Sequence, residues 1–107
     1  MELAIVRGQV VSTVKDRATE GYKLLVVERA DVDGTPLRGL SVTIDAVGAG
    51  EGELVLIVRG SSERAAAGLA KVPTAATVVG IVDEVTFGGK RAYLKSTAVD
   101  APMMGAA

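Results

Sequence analysis

The sequence contains no cysteine and no histidine. A disulfide framework, a thiolate zinc site and a cysteine nucleophile are therefore excluded. Without an imidazole the usual general base is missing, and with it a Ser-His-Asp triad within this chain. Only carboxylates, lysines and tyrosines remain for acid–base work. Tryptophan is also absent, and Tyr22, Phe87 and Tyr93 are the whole aromatic complement. The formal net charge is −1, so no strong field gathers nucleic acid or an anionic membrane. No apolar run approaches the roughly 20 residues that a membrane helix needs. The segment Met1-Glu2-Leu3-Ala4 lacks a basic region followed by a long apolar stretch. The chain therefore reads as soluble and cytoplasmic, with no secretory signal.

What the chain has is aliphatic. At 107 residues, 49% of them hydrophobic, it has the size and the apolar content for one domain around one core. Most apolar runs are short and rich in Val and Ile, as strands are. From Leu3 to Val14 the residues Ala4, Val6, Gly8, Val10 and Val14 are expected on one face, with Arg7, Gln9 and Thr13 on the other. Gly8 in mid-run predicts a bend or bulge of the kind barrels use. Tyr22 to Ala30 reads as a second strand, closed by turn formers over Asp31 to Pro36. Leu40 to Ile44 reads as a third, shorter strand. A glycine-rich loop follows over Asp45 to Glu53, and the continuous apolar run Leu54 to Val58 fits a strand covered on both sides. The expected helix is short. Ser61 or Ser62 serves as its N-cap, Glu63 lies in its first turn, Arg64 to Ala67 form it, and Gly68 weakens it. Pro73 returns the chain to extended form. Val78 to Phe87 and Arg91 to Lys95 then make a hairpin around Gly88-Gly89. The tail from Thr97 to Ala107 has no period and is expected to be mobile. Five or six strands, one short helix and bend-making glycines favour a small, mainly β, closed or partly closed barrel, with a small sandwich as the alternative.

Three chemical readings compete with a structural role, and each is weak. Gly48-x-Gly50-x-Gly52 invites a phosphate-binding reading. A dinucleotide fingerprint places its third glycine at position 53, where this chain has Glu53, and a strand follows instead of a helix. Glu51 and Glu53 would also repel phosphate. Glycine here serves better as a residue that accepts positive φ and lets backbones approach closely. Glu51 with Glu53, and Asp83 with Glu84, are the acidic pairs. Adjacent strand residues such as Asp83 and Glu84 point to opposite faces and do not converge on a sugar, and solvated or ion-paired carboxylates are the simpler reading of both pairs. A barrel with one helix also suggests an OB-type nucleic-acid module. That reading lacks the aromatics and the Lys/Arg cluster that single-strand binding requires. Arg7, Arg59 and Arg64 are better suited to charge-assisted bonds with carboxylates or carbonyls.

The order of the motifs carries a resemblance. Val6-Arg7-Gly8-x-Val10-Val11-Ser12-Thr13 resembles the opening strand of the EutN/CcmL family, the pentameric shell proteins of carboxysomes and metabolic microcompartments. Asp45-x-Val47-Gly48-Ala49-Gly50-x-Gly52-Glu53-x-Val55-Leu56 resembles that family's central loop and next strand. Arg59-Gly60-Ser61-Ser62-x-Arg64 resembles its Arg-Gly-Ser-Ser-Ala-Arg segment, and Pro73-x-x-Ala76-x-Val78-Val79-Gly80-Ile81-Val82-Asp83 its closing strand. The blocks run in the family's order over residues 1–96. The chain departs from the pattern at Glu63, where the family often has Ala, and at Ala75, where it often has Asp. The resemblance implies an OB-like five-stranded barrel with one short helix. It further implies a non-catalytic homopentamer, shaped like a truncated pyramid, at the vertices of a shell whose facets are hexameric proteins. No cofactor, metal, nucleic acid or membrane is implied. Within it, Gly48, Ala49, Gly50, Arg59, Gly60, Ser61, Ser62, Arg64 and Arg7 are expected at the subunit boundary or the axial opening.

Overall fold

A computed structural model describes residues 1–11, 23–60 and 76–95. The expected helix with Ser61, Ser62 and Arg64, the residues around Pro73, and the tail from Thr97 lie outside the described residues.

Among the described residues seven strands form: β1 (Glu2–Val10), β2 (Lys23–Ala30), β3 (Pro36–Asp45), β4 (Leu54–Val58), β5 (Thr77–Ile81), β6 (Glu84–Phe87) and β7 (Lys90–Leu94). The first five close into a barrel in the order β1-β2-β3-β5-β4, and β6 and β7 form a separate two-stranded sheet. Every barrel joint is antiparallel except β3 with β5, which is parallel and short, pairing Ile44 with Thr77 and Asp45 with Val78.

Alternation sets the inside. Ala4, Val6, Leu25, Val27, Val55, Ile57 and Val78 point into the barrel and are buried, with Ala49 closing over them. Each buried Val, Leu or Ile contributes about 1.5–3 kcal/mol through removal from water. Thr43 is buried among them and its hydroxyl donates to the Leu25 carbonyl at 3.2 Å, so its polar atom is satisfied.

The bulge expected at Gly8 is present: Val6 pairs with Val27, but Gly8 pairs with Val26. This corrects the expected face. Beyond the bulge the alternation flips, so Gly8 and Val10 side with outward Val26 and Leu24, while Gln9 falls opposite inward Leu25. A simple period-2 count cannot anticipate that, because one extra residue reverses every later side chain. β3 is also longer than expected, beginning at Pro36. Its early part carries a second irregularity opposite Arg29, where Arg38 takes a positive φ of 65°. The single strand expected from Val78 to Phe87 is two strands, interrupted at Val82 and Asp83 where the chain leaves the barrel.

The β6–β7 hairpin turns through Gly88 and Gly89, with φ of 65° and 78°. A two-residue turn with both central residues at positive φ matches the twist of its strands, and glycine takes it without strain. The hairpin lies back on the barrel exterior. Val85 and Tyr93, a cross-strand pair, pack with Leu3, Ile5, Ala30, Leu54, Leu56 and Val82.

Candidate functional site

The loop between β3 and β4 is built around one carboxylate. Asp45 ends β3 with its side chain 1% exposed. Its Oδ1 accepts the amides of Val47 at 3.1 Å, Gly48 at 3.0 Å and Ala49 at 3.3 Å. An Asx residue is suited to this, since its short side chain reaches the backbone just ahead. Lys23 Nζ lies 3.7 Å from Asp45 Oδ2 and donates to the Ala49 carbonyl at 3.5 Å. Gly48 and Gly52 take φ of 78° and 89°, values that explain both glycines by conformation alone. Nothing lies within 4 Å of the Cβ position at either one, so no close approach inside the protomer demands them.

The second half of the loop is held by Glu53. Its Oε1 accepts the Gly50 amide and its Oε2 pairs with Lys95 Nζ at 2.9 Å. Those two partners, the Gly50 amide first, hold the Glu53 carboxyl below its ordinary value, and the same contact raises Lys95. The loop is pinned to β1 through Gly52 N to Val6 O at 2.8 Å and Val6 N to Glu53 O at 3.0 Å. Because Lys95 N also donates to Asp83 O at 2.8 Å, the end of β7 is tied to the same corner of the barrel.

This wiring removes the phosphate reading. The amides of Val47, Gly48, Ala49 and Gly50 already donate to carboxylates of the chain itself, and the Gly52 amide to a carbonyl. An N–H cradle that serves an anion elsewhere is filled here by Asp45 and Glu53. The acidic pairs do not converge either. Glu53 is engaged with Lys95 and Glu84 with Arg91 at 3.0 Å. Among the described residues no cluster of acidic side chains is arranged to hold a metal ion.

The expected boundary residues separate into two groups. Gly48, Ala49 and Gly50 precede β4, Ala49 buried and the glycines exposed. Arg59 and Gly60 follow β4 at its other end, both exposed. Arg59 donates to Glu2 Oε2 at 2.7 Å and to Ser41 Oγ at 3.1 Å, bridging β1, β3 and β4. Arg7, on the β1 bulge, donates to Glu28 Oε1 at 2.8 Å. Both arginines thus make the carboxylate bonds anticipated for them, with partners inside the protomer. Both pairs are part-exposed, and such pairs contribute about 1 kcal/mol or less each.

Sequence reasoning missed the outer apolar face. Leu40 is 70% exposed and Val42 53% exposed on β3, and Phe87 is 66% exposed at the hairpin tip. The spacing of Leu40, Val42 and Ile44 holds the signal for the first pair, since it puts them on one face of a strand. The placement of Phe87, the one phenylalanine, immediately before Gly88-Gly89 holds the signal for the second.

Fold and surface together define a small closed β-barrel with braced loops and exposed apolar residues that include Leu40 and Val42 on β3 and Phe87 on the hairpin, a construction suited to association between copies. The family profile described as "Ethanolamine utilisation protein EutN/carboxysome" matches residues 1–83. The chain is 47% identical over 95 residues to the bacterial microcompartment shell vertex protein EutN of Salmonella typhimurium, spanning 89% of this chain and 96% of that one. It is 42% identical over 95 residues to the carboxysome shell vertex protein CcmL of Gloeobacter violaceus, spanning 89% and 95%. The solved structure of GrpN, a pentameric microcompartment shell protein from Rhodospirillum rubrum, superposes with a TM-score of 0.69 at 44% identity, over 81% of this chain and all of that one. The chain belongs to the EutN/CcmL family.

Proposed function

We infer that this chain is a structural shell protein whose pentamers cap the five-fold vertices of a bacterial microcompartment. The observation that carries the reading is the 47% identity to a shell vertex protein across 96% of that protein's length, with the barrel intact beneath it. The physical role is geometric. A flat hexagonal sheet cannot close, and five-fold units supply the curvature that closes it. Identical chains joined head to tail form a ring when the rotation between neighbours closes.

The protein resides in the shell, within the cytoplasm, and its partners are its own copies and hexameric shell proteins of the facets. It acts without catalysis and without a cofactor. The engaged carboxylates of Glu53 and Glu84 favour this over a carboxylate enzyme. Residues 1–96 make the shell domain and residues 97–107 a C-terminal tail. Gly48, Ala49, Gly50 and Arg7, together with Arg59, Gly60, Ser61, Ser62 and Arg64, contribute to the subunit boundary or the axial opening. Their placement before and after β4 suits a head-to-tail seam, in which a protomer shows different surfaces to its two neighbours.

The test is the mass of the purified chain by native mass spectrometry or light scattering. A discrete five-chain species is expected. A stable monomer over the accessible concentration range would refute the reading.

A further inference from the structure

We propose that the outer face of β3, centred on Leu40 and Val42, receives the tip of the β6–β7 hairpin of the next copy of this chain, with Phe87 as the inserted residue. The proposal rests on the ring reading above and specifies its seam.

The strand registers define the receiving face. Ile5, Glu28 and Leu40 form one outward row across β1, β2 and β3, and Gly8, Val26 and Val42 form the next. Residues of opposite parity on β2, Leu25 and Val27, fill the barrel, so these rows face out. At one end Ile5 is covered by the protomer's own hairpin. At the other, Leu40 and Val42 stand 70% and 53% exposed. The second row begins with a residue that has no side chain. Nothing lies within 4 Å of the Cβ position of Gly8, so the sheet has a notch beside Val26, flanked by the ridge of Leu40 and Val42. Glu28, held by Arg7 at 2.8 Å, stands between Ile5 and Leu40 in the first row, so the apolar part of the face is Val26, Leu40 and Val42 beside the notch. A single large side chain fills such a shape, and burying it removes apolar surface that the protomer otherwise leaves wet.

The inserting element comes from the hairpin. Its base is docked through Val85 and Tyr93, and Tyr93 lies over the β2–β3 turn, its Cδ1 3.1 Å from the Cβ position of Gly34. Phe87 stands two residues beyond Val85 on β6, which carries no extra residue at the bulge, so it shares the docked face. Yet it is 66% exposed. Its own barrel therefore supports Val85 and leaves Phe87 overhanging. A two-stranded arm of this kind is marginal alone and gains stability when its free end is packed.

A second copy is the occupant these features fit. A ring of identical chains needs two different patches per chain, each complementary to the other. Among the described residues this chain shows exposed Leu40 and Val42 on β3 and exposed Phe87 on a separate element, the hairpin. A self-matching patch would make a two-fold dimer instead.

The experiment uses three variants of the full chain, all at exposed positions, with melting curves confirming that each folds. The first carries Leu40→Glu and Val42→Glu, the second Phe87→Glu, the third Leu94→Glu on the opposite hairpin face as a control. By native mass spectrometry the first two are expected as monomers, and the Leu94 variant as a five-chain ring. Mixing the first two leaves one intact seam, the unaltered β3 face of the second with the unaltered Phe87 of the first. A two-chain species containing one copy of each is therefore expected only in the mixture. If the unaltered chain forms pentamers and the first two variants still do, or if the mixture shows no two-chain species, the seam assignment is overturned while the ring stands. If the unaltered chain is itself monomeric, the ring reading fails first.

Discussion

Replacing Asp45 with alanine tests the claim that one buried carboxylate organises the β3–β4 loop. The substitution removes the acceptor for three amides, those of Val47, Gly48 and Ala49. Two of these residues, Val47 and Gly48, are exposed, so water replaces most of what they lose. Ala49 is buried, and its amide is left without a partner beneath the loop. A bond to a charged group contributes about 1.5–3 kcal/mol net, and a buried unmet donor costs about 1–3 kcal/mol. Counting the buried donor fully and the exposed two slightly gives a loss near 2 kcal/mol. The ion pair with half-exposed Lys23 adds less than about 1 kcal/mol. For a domain of this size each kcal/mol lowers the melting temperature by about 4–8 °C, so Asp45→Ala is expected to melt about 8–16 °C lower. Asp45→Asn keeps a carbonyl acceptor in place and is expected to lose about half as much. Lys23→Met should cost less than either. The assay is thermal or urea unfolding at matched chain concentration, because association shifts apparent stability. Hydrogen exchange at the Ala49 amide should quicken in step. An alanine variant melting within about 2 °C of the parent would refute the account of the loop.

Gly48→Ala should destabilise the protomer by about 1–2 kcal/mol through its positive φ alone, seen as a lower urea midpoint. A Cβ added at Gly60 meets no atom within 4 Å in the protomer, so Gly60→Val should leave the melting of the isolated fold within about 0.5 kcal/mol while reducing the five-chain mass. Glu53→Gln should cost about 1 kcal/mol or less and change the pH profile. The Glu53 carboxyl lies below its ordinary value of 4.5, so its contribution is full above that pH and is lost as pH falls through the folded value. Lys95 lies above its ordinary 10.5, so its contribution is full below that pH and is lost as pH rises through the folded value. The Gln variant should flatten both edges of a stability–pH curve. Ile57→Ala, at a fully buried position, should cost about 2–5 kcal/mol and abolish most folded material near 37 °C.

The sequence was most legible where a rule is local. The Gly88-Gly89 turn, the Leu54–Val58 strand, the bulge at Gly8 and the loop from Asp45 to Glu53 each follow from residue types that only a few conformations suit. Legibility fell where the outcome depends on distant partners. The flip of faces after Gly8 is set by pairing with β2, which a one-strand pattern does not contain. The break at Val82 and Asp83 arises because Val82 packs under the hairpin while Ile81 still pairs with β4. The sequence reads the loop glycines as residues that accept positive φ and allow close approach, and the structure bears out the positive φ at Gly48 and Gly52. The organising role falls to Asp45, whose spacing to Gly48 is visible in the sequence but carries no weight without the fold. The exposed Leu40, Val42 and Phe87 passed as ordinary strand residues, since exposure of an apolar side chain is decided by what the rest of the chain fails to cover.

The order in which β5 enters the sheet bears on how the protein is made. It is the last barrel strand in the chain, yet it slots between β3 and β4, both synthesised well before it. Until it arrives, the nascent chain is a curved four-stranded sheet with two raw edges, one along β3 and one along β4, each able to recruit another nascent copy. β5 is thus a keystone, and release of a chain cut short before Thr77 would yield a sticky half-arch. Pairing of β5 with both neighbours is what covers those two edges.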